Sequence, residues 1–188
     1  MTDECGASPH TVADPAPLGL LAFGMTTAIL SLHNLGAYGL DSAVLSMGLL
    51  YGGMAQIVAG IFEFKRGNTF GATAFTSYGF FWLSFVAIEA GAMPGAQADA
   101  ASMGAYFAVW GVMTLFMFAG TLKGAASLKI VFLSLTALFF VVAAKDLSGA
   151  SGLAHAAGAI GLFCGAAAMY SGLGAVVNAQ MGRAVMPL

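Results

Sequence analysis

Apolar positions along this chain fall into six long blocks, roughly residues 17–38, 43–64, 69–90, 104–121, 126–144 and 151–177. Each approaches the roughly 20 residues that a helix needs to cross a bilayer. The runs are continuous, whereas the strands of a membrane β-barrel alternate apolar and polar at every second residue. The pattern therefore predicts six membrane-spanning α-helices. The links between them are GLD at 39–41, KRGN at 65–68, PGAQADAAS at 94–102, LKGA at 122–125 and KDLSGA at 145–150, all too short to hold a soluble domain.

The first block opens on DPAPLGLLAFG, residues 14–24. Proline is tolerated in the first turn of a helix, where its missing N–H has no intrahelical partner to lose. Pro15 and Pro17 thus mark a helix start, with Asp14 placed to cap it. This divides the chain into a polar tail at 1–13, a helical domain at 14–182 and a short C-terminal tail at 183–188. The N-terminal tail carries no basic stretch and the run behind it is full length for a span, so no cleaved signal peptide is expected.

Composition places these helices in lipid. Hydrophobic residues make up 60% of the chain and charged residues 7%, against about 25% charged in an ordinary soluble domain. The 26 glycines suit helices that approach one another closely in a bilayer. Gly48 and Gly52, Ala154 and Gly158, and Gly161 and Gly165 recur at four-residue spacing and read first as packing surfaces. A net charge of −2 without a basic cluster excludes nucleic acid as a partner. Cys5 and Cys164 are read as free thiols, because their positions allow neither a disulfide framework nor a metal site.

Five of the six basic residues, Lys65, Arg66, Lys123, Lys129 and Arg183, fall on one side of the predicted bundle, and only Lys145 on the other. Basic loops stay in the cytoplasm. Both termini are therefore expected there, in a multi-pass protein of the inner (plasma) membrane. Three spans, a longer link at 91–103 and three more spans would suit an inverted repeat, but the halves show no convincing sequence match.

Polar groups kept at depth are costly unless paired or facing water, so they point to what crosses. The spans hold Thr26, Thr27, His33, Asn34, Gln56, Thr73, Thr76, Ser77, Thr114, Ser134, Thr136 and His155. No charged residue occupies the middle of a span: Glu63 lies near a span end beside Lys65 and Arg66, and Glu89 closes the third span. Such a mild interior suits a small, polar or weakly acidic solute. Phe23, Thr27, Leu30 and Asn34 share one helical face, as do Gly52, Gln56, Gly60 and Glu63. Gln56 either contacts a solute or bonds a neighbouring helix. Buried Ser and Thr commonly bond the carbonyl one turn back. His33 and His155, near one end of the bundle, read as interfacial hydrogen-bonding residues, and Trp82 and Trp110 as lipid-facing or packing residues.

Beyond this, DPAPLGLLAFG resembles the NPAPLGL signature of the acetate uptake transporter family, the succinate/acetate permeases, with Asp14 where that family has Asn. GMTTAILSLHN at 24–34, YGGMAQIVAGIFEFKRGNTFGATAFTSYGFFWL at 51–83 and TLFMFAGTLKGA at 114–125 are similar to the same family in the same order. The resemblance implies an all-α homo-hexamer with a solute path inside each six-helix subunit, entered past the motif of Asp14, Pro15, Pro17 and Gly19. It also implies a hydrophobic constriction at Phe23, Tyr78 and Leu135. Ala168 stands at a pore-side position that influences solute size.

The expected function is membrane transport of acetate and related small carboxylates, with succinate as a further candidate, by a channel or a proton-linked carrier. Thr26, Thr27, Asn34, Gln56, Thr76 and His155 would supply the polar path. Movement as the neutral acid would let the proton travel on the substrate, with no buried carboxylate required. The alternative is a channel for a small neutral solute such as urea, whose flux would ignore pH and voltage. No HExxH, GxSxG or phosphate-loop motif points to an enzyme, and no cofactor or metal is expected.

Overall fold

The computed structural model describes residues 12–188, so Cys5 and most of the polar N-terminal tail lie outside the described residues. Among the described residues six helices are long and apolar enough to cross a membrane: α1 (Ala16–Asn34), α2 (Ser42–Arg66), α3 (Thr69–Glu89), α4 (Ala100–Thr121), α5 (Ala126–Ser148) and α6 (Gly152–Met181). No strand occurs among the described residues.

Local chemistry sets the helix ends. Pro15 adopts helical angles, φ −83° and ψ −13°, and its carbonyl accepts from Gly19 N–H at 3.1 Å. The Asp14 carboxylate accepts from Ala16 N–H at 3.1 Å, which is the geometry of a cap on that first turn. Asp41 caps α2 by accepting from the backbone N–H groups of Ala43 and Val44, and Asn68 caps α3 by accepting from Gly71 N–H. Asp99 and Ser102 form a reciprocal capping box at the head of α4. The Ser102 backbone N–H holds the exposed Asp99 carboxyl below its ordinary range.

Consecutive helices pack side by side and α6 returns to α1, giving a ring in chain order. Glycine permits a close crossing of α1 and α6. A Cβ on Gly24 would sit 2.8 Å from the Gly165 carbonyl oxygen, and one on Gly165 would sit 2.7 Å from the Gly24 carbonyl oxygen. Between α3 and α4 the backbones stand farther apart and aromatic side chains fill the gap. Phe81 and Tyr106 stack there at 5.9 Å between centroids, and the Ser84 and Tyr106 hydroxyls bond at 2.7 Å.

One departure from regular helix lies in α2, where Met47–Ala55 is wound as a π-helix. Gly52 in this stretch presses against α1 and α3: a Cβ there would lie 2.9 Å from the Thr26 methyl group and from the Trp82 ring. Thr26 Oγ1 reaches the Met47 carbonyl at 3.4 Å. The C-terminal tail folds back on α6, where Asn178 Oδ1 accepts from the N–H groups of Val185 and Met186.

Candidate functional site

Inside the ring lie two cavities. The larger, about 270 Å³, extends from Phe23 and Leu135 past Thr27, Leu30 and Trp82 to Asn34, Glu89 and Lys145 at the helix ends. All four residues of the α1 stripe, Phe23, Thr27, Leu30 and Asn34, line it. The smaller, about 90 Å³, extends from the same Phe23 and Leu135 past Tyr78, Phe132 and Gln56 to Glu63, Asn68 and Ala16. Phe23 and Leu135 are thus common walls, which places the apolar divide at their level.

Aromatic packing builds this divide. The Phe23 ring lies 6.1 Å from the Tyr78 ring, Tyr78 lies 6.2 Å from Phe132, and Tyr78 stacks on Phe139 at 6.5 Å. Ala168, fully buried, belongs to the same packed cluster as Phe23, Tyr78 and Leu135 but lines neither cavity. The Tyr78 hydroxyl donates to Thr114 Oγ1 at 2.9 Å, and Thr114 Oγ1 donates in turn to the Trp110 carbonyl at 2.7 Å. The phenol proton is therefore engaged in the seam between α3 and α4.

The polar residues separate into two sets. Thr27, Asn34 and Gln56 line cavities, and Thr27 Oγ1 and Gln56 Oε1 are buried without a hydrogen-bond partner. Thr26, Thr76 and His155 line neither. Thr26 is turned onto the π-helical stretch of α2. Thr76 sits at the α2–α3 contact, where its Oγ1 would be 2.2 Å from a Cβ on Gly60. His155 is exposed, because Ala154 and Ala157 are the residues that α6 turns toward the cavity. The remaining deep hydroxyls behave as spacing suggests: Ser31, Ser134, Thr136 and Ser171 donate to carbonyls one turn back.

Two side chains take places that the sequence pattern does not assign them. Trp82, read as lipid-facing or packing, is only 3% exposed and lines the larger cavity with its indole N–H unpartnered. Glu63, read as lying at a span end beside two cations, is 0% exposed and lines the smaller cavity. Its Oε2 accepts from Asn68 Nδ2 at 2.9 Å, while Oε1 has no partner. The reading of Glu63 as a span-end residue in the company of Lys65 and Arg66 is therefore corrected: it is a buried carboxyl group. Position 63 shares a helical face with Gln56 and Gly60, and residues 65 and 66 point elsewhere.

At the mouth of the smaller cavity, Arg66 donates to the Asp14 carboxylate and joins the end of α2 to the start of α1. Gly19 lets that start of α1 lie against α3, since a Cβ there would meet the Phe75 ring at 2.5 Å. Among the described residues no group of three or more His, Cys, Asp or Glu could hold a metal ion.

Comparison with known proteins adds four findings. The model of the GPR1/FUN34/yaaH family matches residues 4–187. The succinate-acetate/proton symporter SatP of Escherichia coli (strain K12) is 54% identical over 179 residues, covering 94% of this chain and 95% of that protein. Acetate permease A of Emericella nidulans is 33% identical over 195 residues, covering 94% of this chain and 65% of that protein. Among solved structures, that of the bacterial acetate channel SatP superposes with a TM-score of 0.92 at 54% identity, covering 95% of this chain and 99% of that one.

Proposed function

Because this chain belongs to the GPR1/FUN34/yaaH family, we propose that it carries acetate and related small carboxylates, succinate among them, across the cell membrane through a path inside each subunit. The observation that carries this reading is the pair of cavities on one axis, divided only at the level of Phe23 and Leu135. The positive-inside rule puts the smaller cavity on the cytoplasmic side together with both termini, because Lys65, Arg66, Lys123, Lys129 and Arg183 gather at that end.

Phe23, Tyr78 and Leu135 form the constriction. A carboxylate stripped of water among such side chains is very costly, whereas its protonated form is not. With a pKa of about 4.3, only about one carboxylic acid molecule in 500 is neutral at pH 7. Passage as the acid therefore makes flux fall steeply as pH rises. Thr27, Asn34 and the Trp82 indole N–H offer donors to the carboxylate in the larger cavity, and Gln56 meets it in the smaller. Ala168 backs the constriction and limits how wide it can become.

The subunits assemble as a homo-hexamer in the bilayer. Val109 and Phe116 on α4, 70% and 75% exposed in the isolated subunit, give apolar surface for lipid or sister subunits to cover. The chain has no catalytic role in this reading. Uptake into liposomes holding the purified protein tests it: labelled acetate should accumulate well above protein-free liposomes and labelled urea should not. Urea entry without acetate entry would replace the proposed substrate with a neutral amide.

A further inference from the structure

Glu63 is a fully buried carboxyl group, on the wall of the smaller cavity, that transport of a substrate-borne proton does not use. Its two oxygens differ. Oε2 is held by the Asn68 amide at 2.9 Å, and Asn68 is held in turn by accepting from Gly71 N–H at 3.1 Å. Oε1 has no partner. Gly71 makes room for this arrangement, since a Cβ there would lie 2.8 Å from the Glu63 carboxyl carbon.

No cation is paired with Glu63 among the described residues. On its own helix, Arg66 is taken by Asp14 and Lys65 lies over the Phe62 ring, 4.9 Å from its centroid. From α1 the charged neighbour at this end is Asp14, already bonded to Arg66. From α3 the titratable neighbour is Tyr78, whose hydroxyl donates to Thr114. Across the cavity α5 presents Leu128, Val131, Phe132 and Leu135, and Lys129 is not on the wall. An ionised Glu63 accepts hydrogen bonds and donates none, so a carboxylate anion beside it would face a like charge with no cation on the cavity wall to offset it. A single proton shared by the two carboxyl groups removes that conflict, because two carboxylates in one site do not both ionise readily.

We infer that Glu63 is the proton-exchanging residue of the cytoplasmic cavity, sharing one proton with the carboxyl group of each substrate that passes. The inference rests on the carboxylate-transport reading and deepens it. In the inward direction, acetic acid that has crossed the constriction gives its proton to Glu63 Oε1: the acid O–H bond breaks, a Glu63 O–H bond forms, and acetate leaves as the anion. The Glu63 proton then passes to cytoplasmic water. The reverse order loads acetate with a proton for export. Asn68 is the positioning residue, since it fixes Oε2 and leaves Oε1 without a partner.

The test pairs labelled-acetate flux with a pH-sensitive dye inside the same liposomes, for the wild type and Glu63→Gln. One proton should enter per acetate in the wild type and in E63Q alike, because only the acid crosses the constriction, but folded E63Q, lacking the group that takes the proton, should carry acetate at least about tenfold more slowly. Wild-type acetate flux in folded E63Q would overturn the inference, as would acetate entry without protons in the wild type. A wild type that moves no acetate at all would instead remove the transport reading beneath it. Infrared difference spectra of wild-type protein with and without ¹³C-carboxyl acetate give a second measurement, independent of any variant that fails to fold. A carboxyl C=O band at the unlabelled frequency, appearing as acetate binds, is expected. Spectra without it, with only the labelled band changing, would assign the proton to the substrate alone.

Discussion

Phe23 on α1 and Leu135 on α5 are the two side chains that wall both cavities, so the divide between them is one aromatic ring and one isobutyl group set among further rings. Removing the ring should open it. Phe23→Ala is expected to raise acetate flux at pH 7 by about tenfold per folded subunit, the effect of lowering a barrier by roughly 1.4 kcal/mol. It should also admit larger monocarboxylates. Initial uptake rates normalised to folded protein check this.

The Tyr78 hydroxyl, bonded to Thr114 at 2.9 Å, acts on packing more than on the solute. Tyr78→Phe should lower thermal stability by about 1 kcal/mol, the net value of a typical hydrogen bond, with acetate-over-urea selectivity unchanged. A double-mutant cycle with Thr114→Val, read by thermal unfolding in detergent, should give a coupling of similar size. Loss of selectivity in Y78F would instead give the phenol a direct role in solute recognition.

Asp14 replaces the Asn expected from family resemblance and bonds both Ala16 N–H and Arg66. The ion pair is open to water, with side-chain exposures of 37% for Arg66 and 54% for Asp14. Exposed pairs of this kind contribute roughly 0–1 kcal/mol. Asp14→Asn keeps the cap and loses the charge, so stability and acetate flux should both stay close to wild type. Asp14→Ala, which loses the cap as well, should lower stability by about 1 kcal/mol. Unfolding curves of the three proteins at low and high salt separate the two contributions.

Gly165 sits where α6 meets α1 backbone to backbone. A Cβ there would lie 2.7 Å from the Gly24 carbonyl oxygen, too close to be absorbed by a side-chain movement. Gly165→Ala should therefore force the helices apart and sharply reduce the yield of folded protein. Gly152→Ala is the matched control, because nothing lies within 4 Å of the added methyl. Monodisperse elution from gel filtration reports both.

The six helices were readable because lipid demands uninterrupted apolar runs, and the start of α1 because only a first turn accepts Pro15 and Pro17 there. The π-helical turn at Met47–Ala55 was not, since its apolar and glycine residues satisfy a regular helix equally well. Periodicity placed Glu63 on the face of Gln56 and Gly60, but proximity in sequence to Lys65 and Arg66 suggested a solvated end. The fold gives Arg66 to Asp14 and leaves Glu63 inside. His155 failed for a related reason: one position from Ala154 is about 100° around a helix, enough to carry its ring out of the path. Trp82 was hidden by its type, since a membrane Trp ordinarily marks an interface.

On the proposed path acetate crosses within the subunit, between Phe23 and Leu135, and not between subunits. Filling that gap tests it most directly: labelled-acetate uptake by folded Leu135→Trp, with Phe23→Ala added to make room again. L135W should fall to the rate of protein-free liposomes, and the double variant should recover flux. Wild-type uptake by folded L135W would place the path elsewhere in the assembly and contradict it.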